Sequence, residues 1–128
     1  MRPIPQKLKQ EIINDQFYKI CIREKTHNCG GRITWEHAII FAGKQINEKW
    51  AILPVCERHH GVNSYQDRGD IDKRFHEWMA LTRLFNSDEA YQEEQKKKYL
   101  RAWPEWERKY KYLNKIYEGK RHSTNIQE

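Results

Sequence analysis

Residues 21–63 read CIREKTHNCGGRITWEHAIIFAGKQINEKWAILPVCERHHGVN, and they hold all three cysteines and four of the six histidines of the chain. Cys21, Cys29, Cys56 and His59 stand at metal-ligand spacing within them. Thiolates and imidazoles suit Zn2+, and structural zinc takes four protein ligands in a tetrahedron. Cys56-x2-His59 places two ligands on one turn, half of a zinc knuckle. Cys21 and Cys29 would supply the other half from a longer loop, and an ion shared by Cys29 and Cys56 would clamp two strands together. Three cysteines is an odd count. Beside histidines in a reducing compartment, that favours metal ligation over a disulfide framework. His27 is a substitute ligand expected to be exposed.

A second constellation shares the segment. Glu36 and His37 are adjacent, so on a strand their side chains leave opposite faces. At a strand end, where the backbone turns, both can still reach one site. A carboxylate there suits Mg2+ or Mn2+, which prefer oxygen ligands, and a neutral imidazole can take a proton from water. His60 follows His59, and on a helix successive residues diverge by about 100°. His59 can then face the zinc while His60 faces a catalytic metal shared with Glu36. In that division His37 is the general base, and the metal neutralises charge on the phosphate and assists the leaving oxygen.

Outward from this segment, Pro3 and Pro5 precede a short amphipathic helix with Leu8, Ile12 and Ile13 on one side. Residues 17–22, FYKICI, are rich in β-formers and predict a strand entering Cys21. Gly30 and Gly31 give a tight reversal. Residues 32–37 predict a second strand, residues 38–49 a loop, and residues 50–55 a strand that Pro54 confines to an end or edge. A short helix is expected from Cys56 onward, making a ββα unit. After Gly69 the pattern turns helical: Asp70 as N-cap, then Ile71, Phe75, Trp78, Met79, Thr82 and Phe85 on one face. Asn86 to Glu89 stop that helix and start another whose end carries Lys96, Lys97 and Lys98, complementing the macrodipole. Pro104 marks a third start. Trp103, Trp106, Tyr110, Leu113 and Tyr117 form its buried stripe, and Gly119 is the expected stop. Phe75 and Trp78 are expected to pack on the ββα unit. The other use for the last helix is a DNA channel lined by Arg108, Lys109, Lys111, Tyr112 and Lys115, with aromatics stacking on unpaired bases.

The chain has 128 residues, 38% of them hydrophobic, 12% aromatic and 33% charged, with a mean hydropathy of -1.09. That suits one small domain, residues 1–128, whose wet core uses large aromatic anchors and gains from a metal staple. A net charge of +6 and a pI of about 9.2 point to a polyanionic partner. No signal-peptide h-region and no membrane-length apolar run is present, so the expected location is cytoplasmic, away from membranes.

These residues resemble the HNH endonucleases of the ββα-metal (His-Me finger) class, most closely in size the short phage or prophage members. The matching pattern is an acid-His pair ending a strand (Glu36-His37), a loop, a strand into a cysteine (Trp50 to Cys56), and ligands opening a helix (His59, His60). The resemblance spans residues 17–66. It implies an α+β fold: a small zinc-stabilised ββα-metal core with an N-terminal segment and two to three additional C-terminal helices over residues 70–119. It implies His37 as general base, Glu36 and His60 on the catalytic metal, and Cys21, Cys29, Cys56 and His59 on structural zinc. It further implies DNA as substrate, cut to 3′-hydroxyl and 5′-phosphate ends by nicking or double-strand cleavage, with low sequence specificity or directed by DNA structure. Three departures stand out: Glu36 replaces the usual Asp, His59 replaces a commoner Cys, and the family's middle Asn falls on Ala51. Asn47 or Asn63 could take over from the missing Asn. Lys44 and Arg58, and more weakly Arg32, are the expected DNA contacts. The rival expectation is a zinc-stabilised nucleic-acid-binding module without catalysis; a weaker one is a protein-interaction adaptor.

Overall fold

A computed structural model describes residues 4–22, 31–56 and 70–127, with side chains placed over 4–22, 31–56 and 73–117. In chain order the elements are helix α1 (Gln6–Ile13), a 3-10 turn (Gln16–Lys19), strands β1 (Ile33–His37), β2 (Ile40–Phe41) and β3 (Lys44–Gln45), and a second 3-10 turn (Lys49–Ala51). Strand β4 (Ile52–Cys56) and helices α2 (Asp70–Phe85), α3 (Glu89–Lys98) and α4 (Trp103–Gln127) follow. The described residues are therefore mixed α+β, as expected. The helix expected directly after Cys56 lies outside them.

The central pairing is antiparallel between β1 and β4, with Ile33 opposite Cys56, Trp35 opposite Pro54, Glu36 opposite Leu53 and His37 opposite Ile52. Residues directly opposite share a face of the sheet. Trp35, His37, Ile52 and Pro54 thus face one way, and Glu36 and Leu53 the other. The first face meets the N-terminal layer, where Ile12, Tyr18 and Ile52 are buried together with Leu8 and Trp35 against them. The second face belongs to the larger core, in which Leu53 and Val55 join Trp78, Leu81, Leu84, Trp103, Trp106 and Leu113. β4 is buried along its whole length, which explains its unbroken apolar run in a sheet of only two strands. Pro54 sits where one strand edge carries no ladder partner, and its carbonyl accepts the Ile22 N–H at 3.0 Å.

The strand expected over residues 17–22 is a 3-10 turn instead. Asp15 Oδ1 accepts the Phe17 N–H at 2.9 Å, capping the turn, and this local bond outcompetes β propensity. The turn sends Tyr18 inward. Its hydroxyl reaches the carbonyls of Lys49 (2.5 Å) and Ile52 (2.8 Å). Arg83 Nη1 from α2 meets the same group, at 2.8 Å from the Tyr18 hydroxyl and 3.0 and 3.1 Å from the two carbonyls. The Arg83 guanidinium also lies 4.2 Å from the Phe17 ring centroid. One side chain thereby ties α2 to the N-terminal turn and to the start of β4.

Other differences have equally local causes. The loop expected over 38–49 contains a hairpin, β2 pairing with β3. Its turn residues Ala42 (φ 53°) and Gly43 (φ 77°) both take positive φ, as a two-residue hairpin turn requires. Trp50 belongs to the 3-10 turn rather than to a strand, because the Ala51 N–H bonds back to Glu48. Ile13, expected on the buried side of α1, is largely exposed while Ile12 is enclosed. The last helix runs through Gly119 to Gln127. A glycine inside a helix costs only about 1 kcal/mol relative to alanine, too little to stop one without a following break.

Helix α3 starts as the sequence implied, with Asp88 Oδ1 accepting the Tyr91 N–H at 2.8 Å. The aromatic stripe of α4 is buried as expected: Trp106 sits edge-on to Trp50 at 5.1 Å, and Tyr110 stacks on Phe85 at 5.0 Å. Phe75 and Trp78 join the core that Leu53 and Val55 of β4 enter, and both rings also meet Tyr117 of α4. The Trp78 indole N–H donates to Asn114 Oδ1 at 2.7 Å. Among the described residues no helix is long and apolar enough to cross a membrane.

Replacing Arg83 by Met is expected to lower stability by about 2 to 3 kcal/mol, since buried carbonyls lose a charged donor and two rings lose their cation. Urea unfolding followed by tryptophan fluorescence measures this; a loss below about 0.5 kcal/mol would contradict the clamp. The alkaline limb is also specified. Burial first, and then Glu48, push Tyr91 up to about 12 from an ordinary 10.0. Burial likewise raises Tyr18, against the opposing pull of Arg83. The fold keeps these phenols protonated while the unfolded chain ionises them, so the stabilisation from Tyr91 is whole below pH 10 and is lost as pH rises through about 12, and Tyr18 acts in the same direction. Tyr91→Phe is expected to flatten that decline in pH-dependent denaturation curves.

Candidate functional site

The end of β1 delivers both residues of the acid-His pair, and each is held by a different element. His37 Nε2 lies 2.6 Å from Asn47 Oδ1, on the segment between β3 and the second 3-10 turn. An amide oxygen can only accept, so with this assignment Nε2 carries the proton and Nδ1 keeps the lone pair. His37 is half-buried, so the ring is anchored at one nitrogen without being enclosed. Glu36, on the opposite face, points toward α2. Its Oε2 lies 2.5 Å from His76 Nδ1, with side-chain exposures of 16% and 3%.

Two backbone and side-chain systems fix where His37 and Asn47 stand. Ala51, fully buried, offers its carbonyl to the Ala38 N–H at 2.8 Å, directly after the base candidate. Position 51, where the resemblance expects an Asn, is enclosed and favours a small side chain. The Asn47 segment is fastened to α3. The Trp50 indole N–H donates to Gln95 Oε1 at 3.0 Å, and Gln95 Nε2 donates to Glu48 Oε1 at 3.3 Å. Tyr99 donates its hydroxyl proton to Glu48 Oε2 at 2.5 Å, where Lys98 Nζ also sits at 2.6 Å. Asn47 thus lies between a buried Ile46 and a Glu48 held by three partners. Of the two asparagines considered as substitutes, Asn47 meets His37, while Asn63 lies outside the described residues.

The soft donors are divided in the same way. Cys21 and Cys56 are both buried in the larger core, and the bond from Ile22 to Pro54 brings the Cys21 end of the first loop beside β4. Cys29 and His59, the other two expected zinc ligands, lie outside the described residues, as do His60 and Arg58. Among the described residues no group of three or more His, Cys, Asp or Glu is arranged to hold a metal ion. The two thiols come from separate segments and enter one core.

Of the expected DNA contacts, Lys44 on β3 and Arg32 before β1 are exposed. Among the residues of the last-helix channel, Lys109 is drawn to Glu77 at 2.9 Å and the Tyr112 hydroxyl accepts from Arg74 Nη1 at 3.3 Å. Lys98 pairs with Glu48, so the Lys96–Lys98 run is in part a structural feature. His76 and Gln95 escaped the sequence reading. His76 lies beside the Phe75 and Met79 positions of an amphipathic helix, whereas Gln95 is the buried residue of a polar helix and no local pattern marks it.

Asn47→Ala is expected to leave thermal stability nearly unchanged while releasing the His37 ring from one fixed tautomer. Nitrogen-15 NMR of the imidazole reads this directly; an unaltered Nε2–H signal in the variant would contradict the anchoring.

Comparison with protein-family models, with curated proteins and with solved structures returns no match to this chain, so the functional reading rests on the site itself.

Proposed function

We propose that this chain is a metal-dependent endonuclease of the HNH class that hydrolyses DNA phosphodiester bonds in the cytoplasm. The observation that carries the reading is His37: a half-buried imidazole at a strand end, tethered through Nε2 to Asn47 at 2.6 Å and adjacent to an anchored carboxylate. A general base needs a lone pair held in a fixed direction near the reacting water, and this tether leaves Nδ1 for that purpose. Nδ1 takes a proton from water as the water oxygen bonds to phosphorus. The bond from phosphorus to the 3′ oxygen breaks, and that oxygen takes a proton from solvent water, leaving a 3′-hydroxyl and a 5′-phosphate.

Glu36 and His60 would hold Mg2+ or Mn2+. The bound ion supplies neutralisation of phosphate charge and relief for the leaving oxygen. Oε1 of Glu36 carries no hydrogen bond or ion pair among the described residues, so the carboxylate keeps an oxygen for that role. Structural zinc would take Cys21, Cys29, Cys56 and His59, and the two buried thiols fit the donor chemistry. Exposed Lys44 and Arg32, with Arg58, would meet phosphates. The net charge of +6 suits a polyanionic substrate. A binding module alone would leave the tethered imidazole without a use.

Purified protein with supercoiled plasmid and Mg2+ or Mn2+ is expected to yield nicked or linear DNA, and His37→Ala to abolish it. Elemental analysis is expected to find about one zinc per chain. DNA binding without cutting, under every divalent ion tried, would replace the hydrolase by the binding module.

A further inference from the structure

We infer that His76 is a positioning residue for Glu36: it grips one carboxylate oxygen from α2 and leaves the other aimed at a divalent cation. The inference rests on the hydrolase reading and adds to it a residue that the acid-His pattern does not contain.

His76 is 2% exposed. Its Nδ1 lies 2.5 Å from Glu36 Oε2, and its Nε2 is buried with no hydrogen-bond partner among the described residues. The polar contact seen for this enclosed ring is thus a carboxylate 40 residues earlier in the chain. A buried polar pair contributes little net stability compared with an apolar pair of similar volume, so stability alone accounts poorly for its presence. Positioning accounts for it better. Carboxylates that ligate metals are themselves hydrogen-bonded from behind, and removing such supports typically weakens metal affinity about 10- to 100-fold.

The choice of glutamate sharpens the point. Glutamate has one more rotatable bond than aspartate, and that freedom must be lost before the group can serve as a ligand. A short, charge-assisted bond from a rigid ring removes it. The ring is itself indexed: Arg83 lies seven residues along α2, about two turns, and therefore on nearly the same face. The Arg83 clamp on Lys49 and Ile52 sets the depth and rotation of α2 against β4. His76 inherits that placement and passes it to Glu36 across the strand pair.

The side chains that could mimic each ring nitrogen separate the possibilities. Asparagine places an N–H near the position of Nδ1, and glutamine near that of Nε2. Full-length wild type, His76→Asn, His76→Gln and His76→Ala would be titrated with Mn2+ alone by calorimetry, with melting temperatures recorded in parallel. We expect His76→Asn to stay within about 3-fold of wild-type Mn2+ affinity and His76→Gln and His76→Ala to lose about 10- to 100-fold. Equal affinity in all four proteins overturns the inference, whatever the melting temperatures do. Retention by Gln with loss by Asn overturns it too, because Nε2 would then be the working atom. Should the variants not fold, the wild type alone decides: Mg2+ is expected to shift the His76 Hδ1 resonance, and no shift at saturation overturns the proposal. A wild type that binds neither ion fails at the hydrolase reading itself and takes this inference with it; wild-type binding with indifferent variants sinks the positioning role alone.

Discussion

The antiparallel pairing of β1 with β4 constrains everything built on it, because a strand pair sends consecutive side chains to opposite faces. With Glu36 opposite Leu53 and His37 opposite Ile52, the acid and the imidazole leave the same backbone in different directions. Each therefore needs its own support. His37 finds it in Asn47, carried by the hairpin segment; Glu36 finds it in His76, carried by α2. A slip of one residue would exchange the two faces and strand both groups.

The helices that follow the strands set the positions of these supports. Gln95 of α3 and Tyr99 just after it hold Trp50 and Glu48, which bracket the Asn47 segment from its C-terminal side. Arg83 of α2 draws the N-terminal turn and the start of β4 to one point. Helix α4 backs α2 through the Phe75, Trp78 and Tyr117 rings. The aromatic wealth of a chain with so few aliphatic residues is thereby explained: a few large rings fill the spaces between thin layers.

Much of this was legible from the residues. The helix starts at Glu89 and Trp103, the α4 stripe and the strands around Glu36 and Val55 follow from capping, 3.6-residue spacing and β-branched runs, which are local properties. The misread segments have a common cause. Residues 17–22 carry β-formers, yet the Asp15 cap and the pull of Lys49 and Ile52 carbonyls on Tyr18 decide their shape. The hairpin turn at Ala42-Gly43 lacks the usual Asn or Asp signal, so the segment read as a loop.

The sequence by itself determined which chemistry is available: a carboxylate beside an imidazole, thiols and further imidazoles at ligand spacing, and an excess of positive charge. Only the tertiary structure decided which partners orient that chemistry. His37 selects Asn47 and not position 51, whose carbonyl accepts the Ala38 N–H. Glu36 selects His76, 40 residues away. Such choices depend on how elements distant in sequence pack, and spacing along the chain carries no record of a contact made across a strand pair and a helix.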